Sequence, residues 1–211
     1  SGCGKSTIAG ILAGKNRGYT GEITIGGIPL SEVMERDLMK HVVLVRHNSY
    51  LFKGTVEENL KMGNPAATTE EMEAVLRKVN LFGFLKTQAG LQTQLQEKAG
   101  NLSGGQCQRL VIARALLKAE AAVYIFDEAT SNIDAESEEL IMNVIQELAQ
   151  TRTVLLISHR LANVVKSDRI YFLKDGEIRE SGRHEDLIKA DGAYRRLYES
   201  QMQLENYGKR R

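Results

Sequence analysis

Apolar residues fall at helical spacing over residues 6–13, where Ile8, Ile11 and Leu12 share one face before Gly14 and Gly18 supply stop signals. GEITIGG (21–27) then reads as a strand bounded by glycines, and the unbroken apolar run HVVLV (41–45) as a strand buried on both faces. Residues 55–61, 69–80 and 81–88 return to helical spacing. They predict a polar, mostly helical middle section, which reads as an inserted subdomain over about 55–118. A long helix (106–118), the apolar strand AVYIF (122–126), a helix (135–150) and the strand TVLLIS (153–158) follow. This strand and helix alternation predicts an α/β fold with right-handed parallel crossovers and flanking helices. RIYFLKDGEIRES reads as a hairpin across Asp175 and Gly176, and helices near 185–189 and 193–204 end the pattern.

At 211 residues the chain suits one large α/β domain. Lys plus Arg (28) balance Asp plus Glu (27), so the chain carries no basic field that would recruit nucleic acid without regard to sequence. Cys3 and Cys107 stand far apart, which argues against a disulfide framework or zinc site and fits a reducing compartment. No apolar run reaches the roughly 18–20 residues that cross a bilayer as a helix, so a membrane partner is expected in a separate or missing segment. The terminal KRR reads as a solvated tail, with a membrane-surface patch as the other reading.

Three stretches carry candidate chemistry. SGCGKST matches the latter part of the phosphate-binding pattern GxxxxGK[ST]. The glycines let successive N–H groups curl around phosphate, Lys5 offsets β/γ charge, and Ser6 offers a hydroxyl to magnesium. A Gly-rich turn is the other reading of this half-motif. AVYIFDE delivers Asp127 and Glu128 at a strand end, where open α/β sheets bind ligands. Asp127 suits magnesium and Glu128 suits polarising an attacking water, while a helix N-cap is the plainer alternative. LSGGQ places Ser103, Gly104, Gly105 and Gln106 at a helix start, which makes a second anion site. A capped helix start explains Ser103 but not two glycines, which are poor helix formers.

Taken in order, SGCGKST, LSGGQ, YIFDEATSNID and ISHRL resemble the ATP-binding cassette family over essentially the whole chain. The resemblance implies a P-loop NTPase whose helical subdomain is inserted in a RecA-like core between Q-loop and signature. It implies ATP and Mg2+ as ligands: Ser1, Gly2, Cys3, Gly4, Lys5, Ser6 and Thr7 as the Walker A loop, Ser6 and Asp127 at the metal, and Glu128 as the catalytic carboxylate. His159 resembles the switch histidine at the γ-phosphate, and Asp134 the D-loop aspartate. Two cassettes are expected to pair head to tail, as homodimer or heterodimer, so that residues 103–106 of one complete the ATP site of the other. YLFKGTVEENL, EKAGNLSGGQ and SGRHEDLIKADGAYRRLYESQ resemble the exporter branch, in which a membrane domain is fused upstream. This implies transport driven by ATP hydrolysis at the cytoplasmic face of the membrane. Two departures stand out: His47 occupies the place of the Q-loop glutamine, and Gln96 and Ala99 replace glycines beside Glu97. A degenerate cassette that binds but hardly hydrolyses ATP, and a soluble cassette acting on nucleic acid, are the rival readings. Because the chain opens inside Walker A, it is expected to lack the strand feeding the loop and, in isolation, to bind nucleotide poorly.

Overall fold

The computed structural model describes residues 2–131 and 133–208, with side chains described as far as Leu204. Ser1 and the terminal KRR therefore lie outside the described residues. The chain divides into two units, one of Ser1–Ile8 with Leu156–Arg211 and one of Ala9–Leu155. Helix α1 (Lys5–Leu12) and strand β7 (Thr153–Ile157) each run across a boundary of this division.

In the larger unit, β1 (Thr24–Ile25) and β2 (Ile28–Pro29) pair antiparallel. The strand expected over 21–27 is this short because Gly26 and Gly27, both left-handed (φ 61° and 81°), fold the ribbon straight back. Helix α2 (Glu35–His41) was not expected. It buries only Leu38, too few apolar positions to show a period, although acids in its first turn and bases in its last match the helix dipole. It leads into β3 (Val42–Arg46), which pairs in parallel with β6 (Val123–Asp127), and β7 completes the order β3-β6-β7. Ile125 and Phe126 are fully buried, as a central strand of an α/β sheet requires.

Between β3 and β6 the described chain is mainly helical. Strands β4 (Gly54–Thr55) and β5 (Gln94–Leu95) pair beside α3 (Val56–Lys61), α4 (Thr69–Lys78), α5 (Phe82–Lys86) and α6 (Gly104–Leu116). Helices α3, α4 and α6 each open on a capping box, Thr55 with Glu58, Thr68 with Glu71 and Ser103 with Gln106. Leu60, Met72, Leu76, Leu81, Leu85 and Leu110 fill the space among them at 1% exposure or less. Asn59 is fully buried yet satisfied: Oδ1 accepts from Phe52 N (2.8 Å), and Nδ2 donates to the Phe52 and Thr55 carbonyls (2.9 and 3.0 Å). These bonds tie the loop before α3 to the helix. Helix α7 (Ala135–Ala149) follows β6 and buries Ile141, Met142, Val144 and Ile145.

The smaller unit holds the hairpin β8 (Ile170–Lys174) and β9 (Glu177–Gly182), closed by Asp175 and Gly176 at φ 53° and 80°, the conformation of a type I′ turn. A bulge between Phe172 and Leu173 interrupts its register. Helices α8 (His184–Lys189) and α9 (Ala193–Gly208) follow. Leu161, Val164, Ile170, Leu187 and Tyr194 form the core of this unit. Among the described residues, no helix is long and apolar enough to cross a membrane.

Candidate functional site

In the smaller unit, Gly2 and Gly4 are left-handed (φ 83° and 91°), and a Cβ on either would meet nothing within 4 Å. A side chain would be strained there by the backbone, not by lack of room. Left-handed glycines let the chain curl tightly ahead of α1, a backbone form that fits a phosphate at a helix N-terminus. Lys5 begins the helix and its Nζ donates to Cys3 Sγ at 3.3 Å, while Ile8 N donates to the Gly4 carbonyl at 3.0 Å. Ser6 and Thr7 are exposed in the first turn. His159 is exposed just beyond β7, in a loop where Ser158 Oγ donates to the Arg160 carbonyl and accepts from its N–H, both at 3.0 Å.

In the larger unit, Asp127 ends β6 with only 4% of its surface exposed, and its register partner on β3 is Arg46. Arg46 Nε lies 3.6 Å from Asp127 Oδ2, and His47 N donates to the Asp127 carbonyl at 3.3 Å. Glu128, partly buried, has φ 54°, a left-handed conformation that costs a non-glycine residue about 1–2 kcal/mol. It breaks the strand sharply, and its carbonyl accepts from Ser131 N and Oγ (3.0 and 2.9 Å).

The structure brings the signature stretch together with Asp134. Helix α6 starts at Gly104 instead of Gln106, because Ser103 and Gln106 close a reciprocal cap (Ser103 Oγ from Gln106 N, 3.2 Å; Gln106 Oε1 from Ser103 N, 2.9 Å) that outweighs glycine's poor propensity. Asp134 caps α7, with Oδ1 accepting from Ser137 N at 2.8 Å. That N–H, then the Ser137 hydroxyl, hold its carboxyl below the usual range, with Arg109 adding a smaller pull. A Cβ on Gly105 would lie 2.8 Å from Ser137 Oγ and 3.1 Å from Asp134 Oδ2, so this glycine is where α6 meets the α7 cap. Nearby, burial pushes the Cys107 thiol up. Ser137 was missed in the sequence, although its place three residues after an N-cap aspartate was a usable signal.

Among the described residues, no group of three or more His, Cys, Asp and Glu could hold a metal ion by itself. The buried Asp127 carboxylate is a hard oxygen donor of the kind taken by magnesium, which binds through one or two protein oxygens together with substrate phosphates and water.

A family model described as ABC transporter matches residues 1–131. The chain is 47% identical over 205 residues to an uncharacterized ABC transporter ATP-binding protein of Haemophilus influenzae, a match covering 97% of this chain and 36% of the relative. It is 39% identical over 202 residues to an ATP-dependent lipid A-core flippase of Chromobacterium violaceum, covering 95% and 34%. Among solved structures, a bacterial Atm1-family ABC exporter with ATP bound superposes with a TM-score of 0.89 at 34% identity, over 95% of this chain and 35% of the exporter. The chain thus spans about a third of the length of the relatives it matches. The α/β fold with its parallel β3–β6 pair is that of a P-loop NTPase. With a glycine loop heading α1, a buried acid ending β6 and a family match over more than half its residues, the chain belongs to the ABC transporter family.

Proposed function

We propose that this chain is the ATP-hydrolysing cassette of an ABC exporter, acting on the cytoplasmic face of a membrane beside a transmembrane domain and a second cassette. The observation that carries the reading is the end of β6: a buried strand stops at Asp127, and the chain turns left-handed at Glu128 directly after it. Strain at a functional position is tolerated where geometry is needed for chemistry. In this reading the N–H groups of Gly2 to Thr7 and the Lys5 ammonium bind the β- and γ-phosphates of ATP, while Ser6 and Asp127 hold magnesium. Magnesium, when bound, offsets charge on the phosphate oxygens. Glu128 orients and polarises the attacking water, and His159 contacts the γ-phosphate. Residues 103–106 and Asp134 complete the ATP site of the opposing cassette, head to tail, and about 55–118 forms a helical subdomain. One relative is named as a lipid A-core flippase and one solved neighbour as an Atm1-family exporter, and the first of these names supports a lipid as a candidate cargo.

In the full-length protein, Glu128→Gln is expected to lower steady-state ATPase activity by about 100-fold or more while sparing ATP binding. An unchanged rate sinks the assignment. His47 favours a second reading, a cassette that binds ATP but turns it over slowly, because imidazole is shorter than the amide usual at that place. His47→Gln raises the rate if that reading holds and leaves it unchanged if it does not.

A further inference from the structure

We infer that Gln201, on the last helix, is a positioning residue for His159, an inference that rests on the hydrolysis reading above. Its amide grips the backbone on both sides of Arg160: Nε2 donates to the His159 carbonyl at 2.7 Å, and Oε1 accepts from Leu161 N at 2.9 Å. The amide orientation follows from the chemistry, since reversing it would set donor against donor and acceptor against acceptor. Ser158 braces the same loop from its upstream side.

The grip matters because α9 is itself fixed. The Glu180 carboxylate of β9 accepts from Ala193 N (2.6 Å) and Tyr194 N (3.3 Å), which satisfies the helix start. Tyr194 is fully buried, and Tyr198 packs against the same core. Tyr194, Tyr198 and Gln201 stand at i, i+4 and i+7, one face of a helix. The face that docks α9 is therefore the face that holds the His159 loop. Leu161, at the far side of the grip, is a core residue of the same unit, so the loop is pinned at a side chain and at two backbone groups. Displacement of α9 releases the amide and lets the His159 backbone move, so the last helix sets the place of the switch histidine.

The test uses the full-length protein with Gln201→Ala, and with Gln201→Met, which keeps the bulk but loses both bonds. Measurements are kcat and KM for ATP, melting temperature, and hydrogen exchange at the Leu161 amide, with Glu128→Gln as reference. Positioning predicts a fall in kcat of about 10-fold or more, the scale at which small displacements of a reacting group act. KM stays put, melting temperature falls by no more than the few degrees that two lost hydrogen bonds account for, and Leu161 exchanges faster. Wild-type kcat with a deprotected Leu161 overturns the inference, as does a joint shift of kcat, KM and melting temperature, which marks a purely structural contact. A rate that survives Glu128→Gln overturns the hydrolysis reading and this inference with it.

Discussion

Arg46 and Asp127 stand side by side on adjacent parallel strands, the arginine Nε 3.6 Å from the aspartate Oδ2. The contact is an ion pair and not a hydrogen bond, and Nε, though buried, has no hydrogen-bond partner. Two effects compete when the arginine is removed. A buried carboxylate loses a neighbouring cation, while an unsatisfied N–H is relieved. Because the Arg46 side chain is 34% exposed, water screens part of the attraction. Arg46→Met is therefore expected to cost about 1 kcal/mol, read as a fall of roughly 2–4 °C in melting temperature. An unaltered melt would show that relief of the unsatisfied N–H offsets the whole of the lost attraction.

Ala99 carries a second local strain, at φ 53° with its methyl fully buried, beside Lys98 at φ 55°. Ala99→Gly sets a gain against a loss. It relieves about 1–2 kcal/mol of left-handed strain, gives up about 0.8 kcal/mol of buried methyl, and adds roughly 0.5–1 kcal/mol of backbone entropy to lose on folding. The net effect is expected within about 0.5 kcal/mol of zero. Ala99→Val has no such offset, because a β-branched residue resists φ > 0 and the site is already filled. It is expected to cost about 2–3 kcal/mol in a denaturant titration.

Much of this was legible in the sequence where local chemistry and tertiary demand agree. The buried runs of β3 and β6 and the Asp175–Gly176 turn fell within a residue of their expected places, because an apolar run and a dipeptide suited to φ > 0 determine them locally. The start of α6 was misplaced by two residues, since glycine propensity argued against a helix that the Ser103–Gln106 cap imposes. Arg46 and Gln201 carried no signal at all. Gln201 meets His159 across 42 residues of chain, and no spacing rule marks a glutamine that will find a backbone carbonyl. The meeting of Gly105 with Ser137 and Asp134 was hidden for the same reason, since it depends on how α6 crosses the start of α7.

Tyr194 links stability to alkaline pH. Its hydroxyl lies 2.8 Å from His184 Nδ1, and burial, with a smaller contribution from Tyr198, pushes its phenol up to about 12. An unfolded tyrosine titrates near 10, so the folded chain holds this proton more tightly than the unfolded one. The stabilisation is fully present below about pH 10 and is lost as pH rises through about 12. Melting temperature is expected to drop across that window in the wild type and to drop less in Tyr194→Phe. At neutral pH the same substitution costs about 1 kcal/mol for the lost hydrogen bond. Equal alkaline slopes for the two proteins would remove Tyr194 as the cause.

Gly105→Ala tests whether the contact between the signature helix and the α7 cap is as close as the geometry says. The new methyl would lie 2.8 Å from Ser137 Oγ, 3.1 Å from Asp134 Oδ2 and 3.3 Å from Ser137 Cβ, so one helix must shift or the cap must open. Helix propensity alone favours alanine over glycine by about 1 kcal/mol. A net loss of about 1–3 kcal/mol thus requires the clash to exceed that gain. Ser137→Ala removes the nearest atom and sacrifices only part of the cap, because Ser137 N still donates to Asp134 Oδ1 at 2.8 Å. The double substitution is then expected to be more stable than the sum of the singles by about 1 kcal/mol in a double-mutant cycle. Strict additivity would mean that α6 and α7 accommodate the methyl elsewhere, and that Gly105 is there for the approach of a ligand or partner and not for this crossing.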